Sequence, residues 1–172
     1  TYAVTDNGLK IYVMEKPGFS SAYAIFGTRY GSIDTKFAKN GGKTVEVPAG
    51  IAHFLEHKLF ESEELDAFQR FAETGASANA YTSFDRTCYL FQCSVNFNKN
   101  LGILRDFVKA PYFTEETVQK EQGIIGQEIR MYQDDPDWQV LFNLLRGLYH
   151  KNPVRIDIAG TVESIAEINA EL

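Results

Sequence analysis

Apolar residues alternate with polar ones at Leu9, Ile11 and Val13 after a turn signal at Asn7-Gly8, and a second apolar run covers 22–28 after Pro17-Gly18. A two-residue period sends successive side chains to opposite faces of an extended chain, so both segments read as strands. The pattern lapses over 34–47, where Lys39-Asn40-Gly41-Gly42-Lys43 predicts an exposed loop leading to Pro48 at a helix start. From 49 to 60 a helix is predicted. Ala49, Ile51, Ala52, Phe54, Leu55, Leu59 and Phe60 make it apolar almost all round, which marks it as buried.

Beyond it the spacing predicts a helix over 65–73 stopped by Gly75, a strand over 78–83, a turn at Phe84-Asp85 and a strand over 87–95. Three helices follow, over 98–109, 115–133 with Thr114 as N-cap, and 136–149 with Asp135 as N-cap and Pro136 in the first turn. A last one, 162–172, starts at Thr161 after Gly160 and shows no C-terminal cap. Strands come first and in the middle and helices come in blocks. The expected fold class is α+β, with a mixed, mostly antiparallel sheet and helices packed mainly on one face.

The 172 residues suit a single domain over 1–172 that buries roughly 70% of the surface its unfolded chain exposes, so no metal is needed merely to fold it. Because the chain lacks an initial Met and ends inside an apparent helix, a larger parent protein is expected. The 44% apolar and 23% charged fractions are those of a soluble globular protein, with no run of the 18 or more apolar residues a membrane span requires. A net charge of −6 without any basic cluster removes the electrostatic basis for partnership with nucleic acid or an anionic membrane. Cys88 and Cys93 lie on opposite faces of one predicted strand, about 16 Å apart, beyond the reach of a disulfide. Reduced core thiols and the lack of a signal peptide before Thr1 point to the cytoplasm.

The chemistry concentrates at His53-Phe54-Leu55-Glu56-His57, which uses two of the three histidines. Shuffling this composition yields H-x-x-E-H in roughly 0.3% of cases, so the motif needs an explanation. On a helix, His53 and His57 project from one face with Cβ atoms about 5–6 Å apart, close enough to chelate one ion at about 2.0–2.1 Å. A catalytic tetrahedral site needs a third protein ligand. Glu61 continues the stripe, but at about 12 Å of rise beyond His53 it is too far along the helix to converge. In the helix over 115–133, the residues Val118, Glu121, Ile125, Glu128, Ile129 and Tyr132 share one face. Glu121 and Glu128 thus sit in an apolar stripe, where a carboxylate needs a metal, an arginine or several hydrogen bonds. A salt bridge to Arg86 or Arg105, or a solvent-facing helix edge, is the plain alternative. Periodicity does not say which glutamate would be the ligand. Glu61, Glu63, Glu64, Asp134, Asp135 and Asp137 read as end-of-helix or turn carboxylates, and His150 as a surface histidine.

These residues resemble the pitrilysin and insulinase type of zinc metallopeptidase, the inverzincins. The resemblance covers nearly the whole chain. It takes in Gly50-Ile51-Ala52-His53-Phe54-Leu55-Glu56-His57, Gly75-Ala76-Ser77-Ala78-Asn79-Ala80-Tyr81-Thr82, the glutamates at 121 and 128, and Gly160-Thr161-Val162-Glu163-Ser164-Ile165. It implies the fold of a mitochondrial-processing-peptidase-like half domain. It also implies Zn²⁺ held by His53, His57 and Glu128, with Glu121 supporting from behind and Glu56 as general base acting on a zinc-bound water. Asn79, Ala80, Tyr81 and Thr82 would belong to an edge strand that pairs with an extended peptide substrate. Family members carry a second homologous domain or subunit that closes over the first, so 1–172 is expected to be the catalytic half of a metalloendopeptidase, with little or no activity in isolation.

Three rival readings fit parts of the motif. A non-catalytic scaffold or processing partner would usually have lost part of the motif, yet His53, Glu56, His57 and Glu128 are all present. An S-ribosylhomocysteine lyase would use a cysteine as third ligand. A plain metal-binding module would not need Glu56. Two histidines and a glutamate suit zinc, and the same donors also accept cobalt or manganese.

Overall fold

The computed structural model describes residues 1–38, 41–63 and 66–172. Its central sheet is antiparallel and has the order β3–β7–β6, built from β3 (Ala22–Thr28), β7 (Thr87–Cys93) and β6 (Ser77–Thr82). Ala22 faces Cys93 and Thr28 faces Thr87 on one side of β7, while Ser77 faces Gln92 and Thr82 faces Thr87 on the other. Alternation then decides the faces. Tyr89, Phe91 and Cys93 point to a core shared with Phe60, Phe71, Ile103, Leu104 and Phe107, and small residues Ala22, Ala24, Ala78 and Ala80 let the helices approach. On the other face Tyr23, Ile25 and Tyr81 stay exposed. Helices therefore cover mainly one face, as the pattern of elements predicts.

The covering helices are α1 (Ile51–Leu59), α2 (Ala67–Glu73) and α3 (Phe97–Phe107). A second apolar cluster, with Ile51, Phe54, Val118, Ile125, Ile129 and Ile165, joins α1 to α4 (Glu115–Gln133) and α6 (Val162–Ala166). The remaining helical pieces are α5 (Pro136–Leu148) and a 3₁₀ turn at Pro153–Arg155. No helix among the described residues is long and apolar enough to cross a membrane. Cys88 and Cys93 are both buried and free.

Four local expectations are corrected. First, the stretch over 34–47 contains a hairpin, β4 (Lys36–Ala38) against β5 (Thr44–Glu46), with an ion pair of 3.1 Å between Lys36 and Glu46. Cross-strand charge pairing and the turn at Gly41, with φ of 73°, support strands that polar composition hides. Lys39 and Asn40 lie outside the described residues. Second, the strand over 9–13 is shorter, β2 (Lys10–Tyr12), and pairs with an unforeseen β1 (Tyr2–Val4) through a Tyr2–Tyr12 ring contact at 4.9 Å. Third, α1 begins behind Gly50 rather than at Pro48, because Gly50 takes a left-handed φ of 90°. Fourth, α6 stops at Ala166 with Glu167 as C-cap instead of running to 172, so its cap lies inside the predicted span. The predicted start of the helix at 65, together with Glu64, lies outside the described residues; α2 is capped by Asp66, which accepts from Phe68 N–H at 2.7 Å.

Candidate metal centre

The helix α1 presents His53, Glu56 and His57 toward α4, which returns Glu121 and Glu128. What seats α1 is a close backbone approach: a Cβ on Gly50 would meet Ala159 O at 2.4 Å. Ser164 Oγ donates to Ala49 O at 2.8 Å while accepting from Thr161 N–H, so the capping box of α6 also clamps the entry to α1.

His53 Nε2 lies 3.7 Å from Glu128 Oε1, and His57 Nε2 lies 3.5 Å from Glu128 Oε2. Ligand atoms about 2.0–2.1 Å from a tetrahedral ion stand roughly 3.3 Å apart, so each histidine lies within a few tenths of an ångström of that spacing from one oxygen of Glu128. Among the described residues these three form a group whose donor atoms all lie within 4.8 Å of one another. The donor set fits a divalent ion of zinc's kind. His57 Nδ1 meets Glu121 Oε1 at 2.8 Å. A proton on Nδ1, donated to Glu121, leaves the Nε2 lone pair facing the cavity. His53 Nδ1 is buried with no hydrogen-bond partner among the described residues.

The plain alternatives for Glu121 and Glu128 fail on geometry. Arg86 is taken by Asp85 at 2.8 Å and Arg105 by Asp106 at 3.3 Å. Glu121, 9% exposed, is satisfied by His57 instead. Glu61 is not a simple end-of-helix carboxylate, for it pairs with the fully buried Lys58 ammonium and lies 3.8 Å from Lys120. His150 is exposed beyond α5.

Burial pushes His53 down to about 4, helped by its neighbour His57, so it is neutral near pH 7. Burial also depresses His57, but the hydrogen bond it donates to Glu121 and the charges of Glu121, Glu128 and Glu56 outweigh it and raise the imidazole above its ordinary value. Glu56 is raised mainly by burial, against a hydrogen bond from Thr82 Oγ1 to its Oε2 at 2.7 Å. A carboxyl raised above its ordinary range in a cavity is suited to take and return a proton.

The cavity in front of these groups has a volume of about 240 Å³ and is walled by Glu56, Ala80, Tyr81, Thr82, Tyr132 and Trp138 as well as the three donors. β6 pairs with β7 alone, so its other edge is free among the described residues. Three of the four predicted edge-strand residues reach the cavity. Asn79 does not, and its side chain instead accepts from Ala80 N–H at 2.9 Å. Trp138 carries no local signal of a place in the site, and Tyr132 stands out in the sequence only as part of the α4 stripe, one turn after Glu128. A larger cavity of about 340 Å³ near Arg146 and Arg155 holds none of the candidate donors.

The sequence matches the family described as insulinase, peptidase family M16, over residues 40–162. It is 59% identical over 167 residues to a Bacillus subtilis (strain 168) protein named uncharacterized zinc protease YmfH, covering 96% of this chain and 39% of that one. A Rickettsia bellii protein, also named uncharacterized zinc protease, is 33% identical over 174 residues, with 96% and 39% covered. A crystal structure of an M16-like peptidase from Alicyclobacillus acidocaldarius superposes with a TM-score of 0.95 at 50% identity, covering 99% of this chain and 40% of that one. An M16 inactive domain from Pseudomonas fluorescens, 18% identical, shares the fold with a TM-score of 0.81 over 99% of this chain and 41% of its own. This chain thus spans about two-fifths of the length of these relatives. With the family match covering more than half the sequence and these relatives covering nearly all of it, the chain belongs to the insulinase family of peptidases, family M16.

Proposed function

We propose that this chain is the catalytic half of a zinc-dependent endopeptidase that hydrolyses extended peptides, with a second homologous domain or subunit completing the site. The observation that carries this reading is the convergence of His53, His57 and Glu128, whose donor atoms all lie within 4.8 Å of one another, with Glu56 beside them in the same cavity. The names of the zinc protease relatives agree with it.

His53, His57 and Glu128 would hold the ion, and Glu121 would orient His57. A bound zinc supplies Lewis acidity for a peptide carbonyl and draws the pKa of a bound water toward about 7. Glu56 accepts the proton released in the attack and passes it to the leaving amine, and Thr82 holds its carboxylate in place through the 2.7 Å bond. The free edge of β6 offers backbone groups to an extended peptide, which fixes the scissile bond along the strand beside Glu56.

The test uses the full-length parent with unstructured peptides. Cleavage should require zinc, and Glu56→Gln should abolish it while zinc stays near one per chain. Turnover surviving in Glu56→Gln removes Glu56 as the base, and a parent that cuts no peptide supports a non-catalytic scaffold instead. The 172-residue chain alone should show little or no cleavage, because a half site lacks the closing wall that excludes water and positions substrate.

A further inference from the structure

Tyr132 lies one turn beyond Glu128 on α4 and donates its phenolic O–H to Glu128 Oε1 at 2.8 Å. Its ring stacks on Trp138 of α5, with centroids 4.5 Å apart and planes inclined by 17°. The Trp138 indole N–H donates to Asp157 Oδ2 at 2.6 Å, and Asp157 Oδ1 accepts from Ala159 N–H at 3.0 Å. A continuous chain of contacts thus runs from the loop before α6 through α5 to one oxygen of Glu128.

We propose that Tyr132 is a positioning residue of the metal centre, held in its working rotamer by Trp138 and Asp157. This rests on the reading of His53, His57 and Glu128 as ligands. A glutamate side chain has three rotatable bonds and two equivalent oxygens, so an untethered Glu128 would lose conformational freedom whenever it bound an ion. The phenol removes part of that loss in advance. It donates a charge-assisted hydrogen bond to Oε1, the oxygen 3.7 Å from His53 Nε2, and leaves Oε2, 3.5 Å from His57 Nε2, as the more open of the two.

Glu121 does the corresponding service for His57. The two supports come from one helix, eleven residues apart on α4. Stacking on Trp138 holds the Tyr132 ring, since turning it away would give up the aromatic contact. Trp138 in turn has a single polar atom, and its acceptor is a carboxylate already fixed by backbone. If the aromatic pair served only to pack α4 on α5, the hydroxyl and the Asp157 carboxylate would be dispensable.

The experiment measures zinc affinity of the 172-residue chain by chelator competition, and the visible spectrum of its cobalt(II) form. The proteins compared are wild type, Tyr132→Phe, Asp157→Asn and the double variant. Tyr132→Phe should weaken zinc about 10-fold to 100-fold, the range for a support behind a ligand, and alter the cobalt spectrum with circular dichroism unchanged. Asp157→Asn keeps an acceptor for Ala159 but not for the indole, so it should weaken zinc less. In the Tyr132→Phe background it should add nothing.

Wild-type affinity and spectrum in Tyr132→Phe overturn the proposal, as does an undiminished effect of Asp157→Asn in that background. Should Tyr132→Phe fail to fold, Asp157→Asn decides alone: weakened zinc with an intact fold supports the proposal, and unchanged zinc overturns it. Wild type that binds no zinc defeats the ligand reading itself, and the proposal with it.

Discussion

The backbones of Gly50 and Gly160 meet without room for a side chain on either: a Cβ on Gly50 would lie 2.4 Å from Ala159 O, and one on Gly160 would lie 2.5 Å from Ala49 O. Both glycines also hold left-handed φ values, 90° and 77°. This contact docks the start of the helix carrying His53 and His57 against the segment that supplies Ala159 to the cavity wall. Two residues 110 positions apart therefore set the register of the site.

Gly160→Ala should destabilise the fold by about 2 kcal/mol or more, from left-handed strain and the backbone clash together. The denaturant midpoint reads this directly. Gly123→Ala on α4, where a Cβ meets nothing within 4 Å, is the control. It should be stabilising by about 0.5–1 kcal/mol through helix propensity. Equal behaviour of the two variants would mean that the close approach carries no energetic weight.

Much of this architecture is legible in the chain because local signals and tertiary demands agree. Thr114 and Asp135 cap α4 and α5 where side-chain chemistry says they should. The stripe that places Glu121 and Glu128 among Val118, Ile125 and Ile129 is the stripe that packs on α1. What escapes reading depends on distant partners. Gly50 starts α1 because Ala159 lies against it, and nothing local distinguishes that from a start at Pro48. Glu61 looks like a helix-end carboxylate until the burial of Lys58 is known. Trp138 gives no hint that it stacks beneath the partner of Glu128.

Glu121→Gln should weaken zinc binding about 10-fold to 100-fold and also change its proton balance. In the metal-free chain His57 is raised above its ordinary value by Glu121 and the other carboxylates, so near pH 7 part of the population carries a proton that zinc must displace. His53, near 4, is already neutral and releases none. Removing the Glu121 charge lowers His57, so fewer protons should leave on binding. Titration calorimetry in buffers of different ionisation heat measures the difference, and an unchanged proton count in Glu121→Gln contradicts the assigned partner.

Thr82→Val should move the pH profile of the full-length parent. The hydroxyl favours ionised Glu56 by donating to it, whereas burial favours the protonated form. Without the donor the carboxyl rises further, and a general base works only when ionised. The acidic limb of kcat/KM should therefore shift to higher pH, with zinc content unchanged. A profile that keeps its acidic limb would place the limiting ionisation on another group.

Lys58 is fully buried and pairs with Glu61, whose side chain is 24% exposed. Deleting one member of such a pair leaves a charge that water cannot reach, whereas replacing the cation by an apolar chain of similar length removes the desolvation problem altogether. Glu61→Ala should thus cost about 3 kcal/mol, the low end for a buried pair because Glu61 keeps some solvent and Lys120 lies 3.8 Å from its other oxygen. Lys58→Met should be close to neutral, and Lys58→Met combined with Glu61→Ala should recover most of the loss. Thermal unfolding of the three variants separates this from a simple helix-end effect, in which Glu61→Ala would cost no more than about 1 kcal/mol whatever occupies position 58.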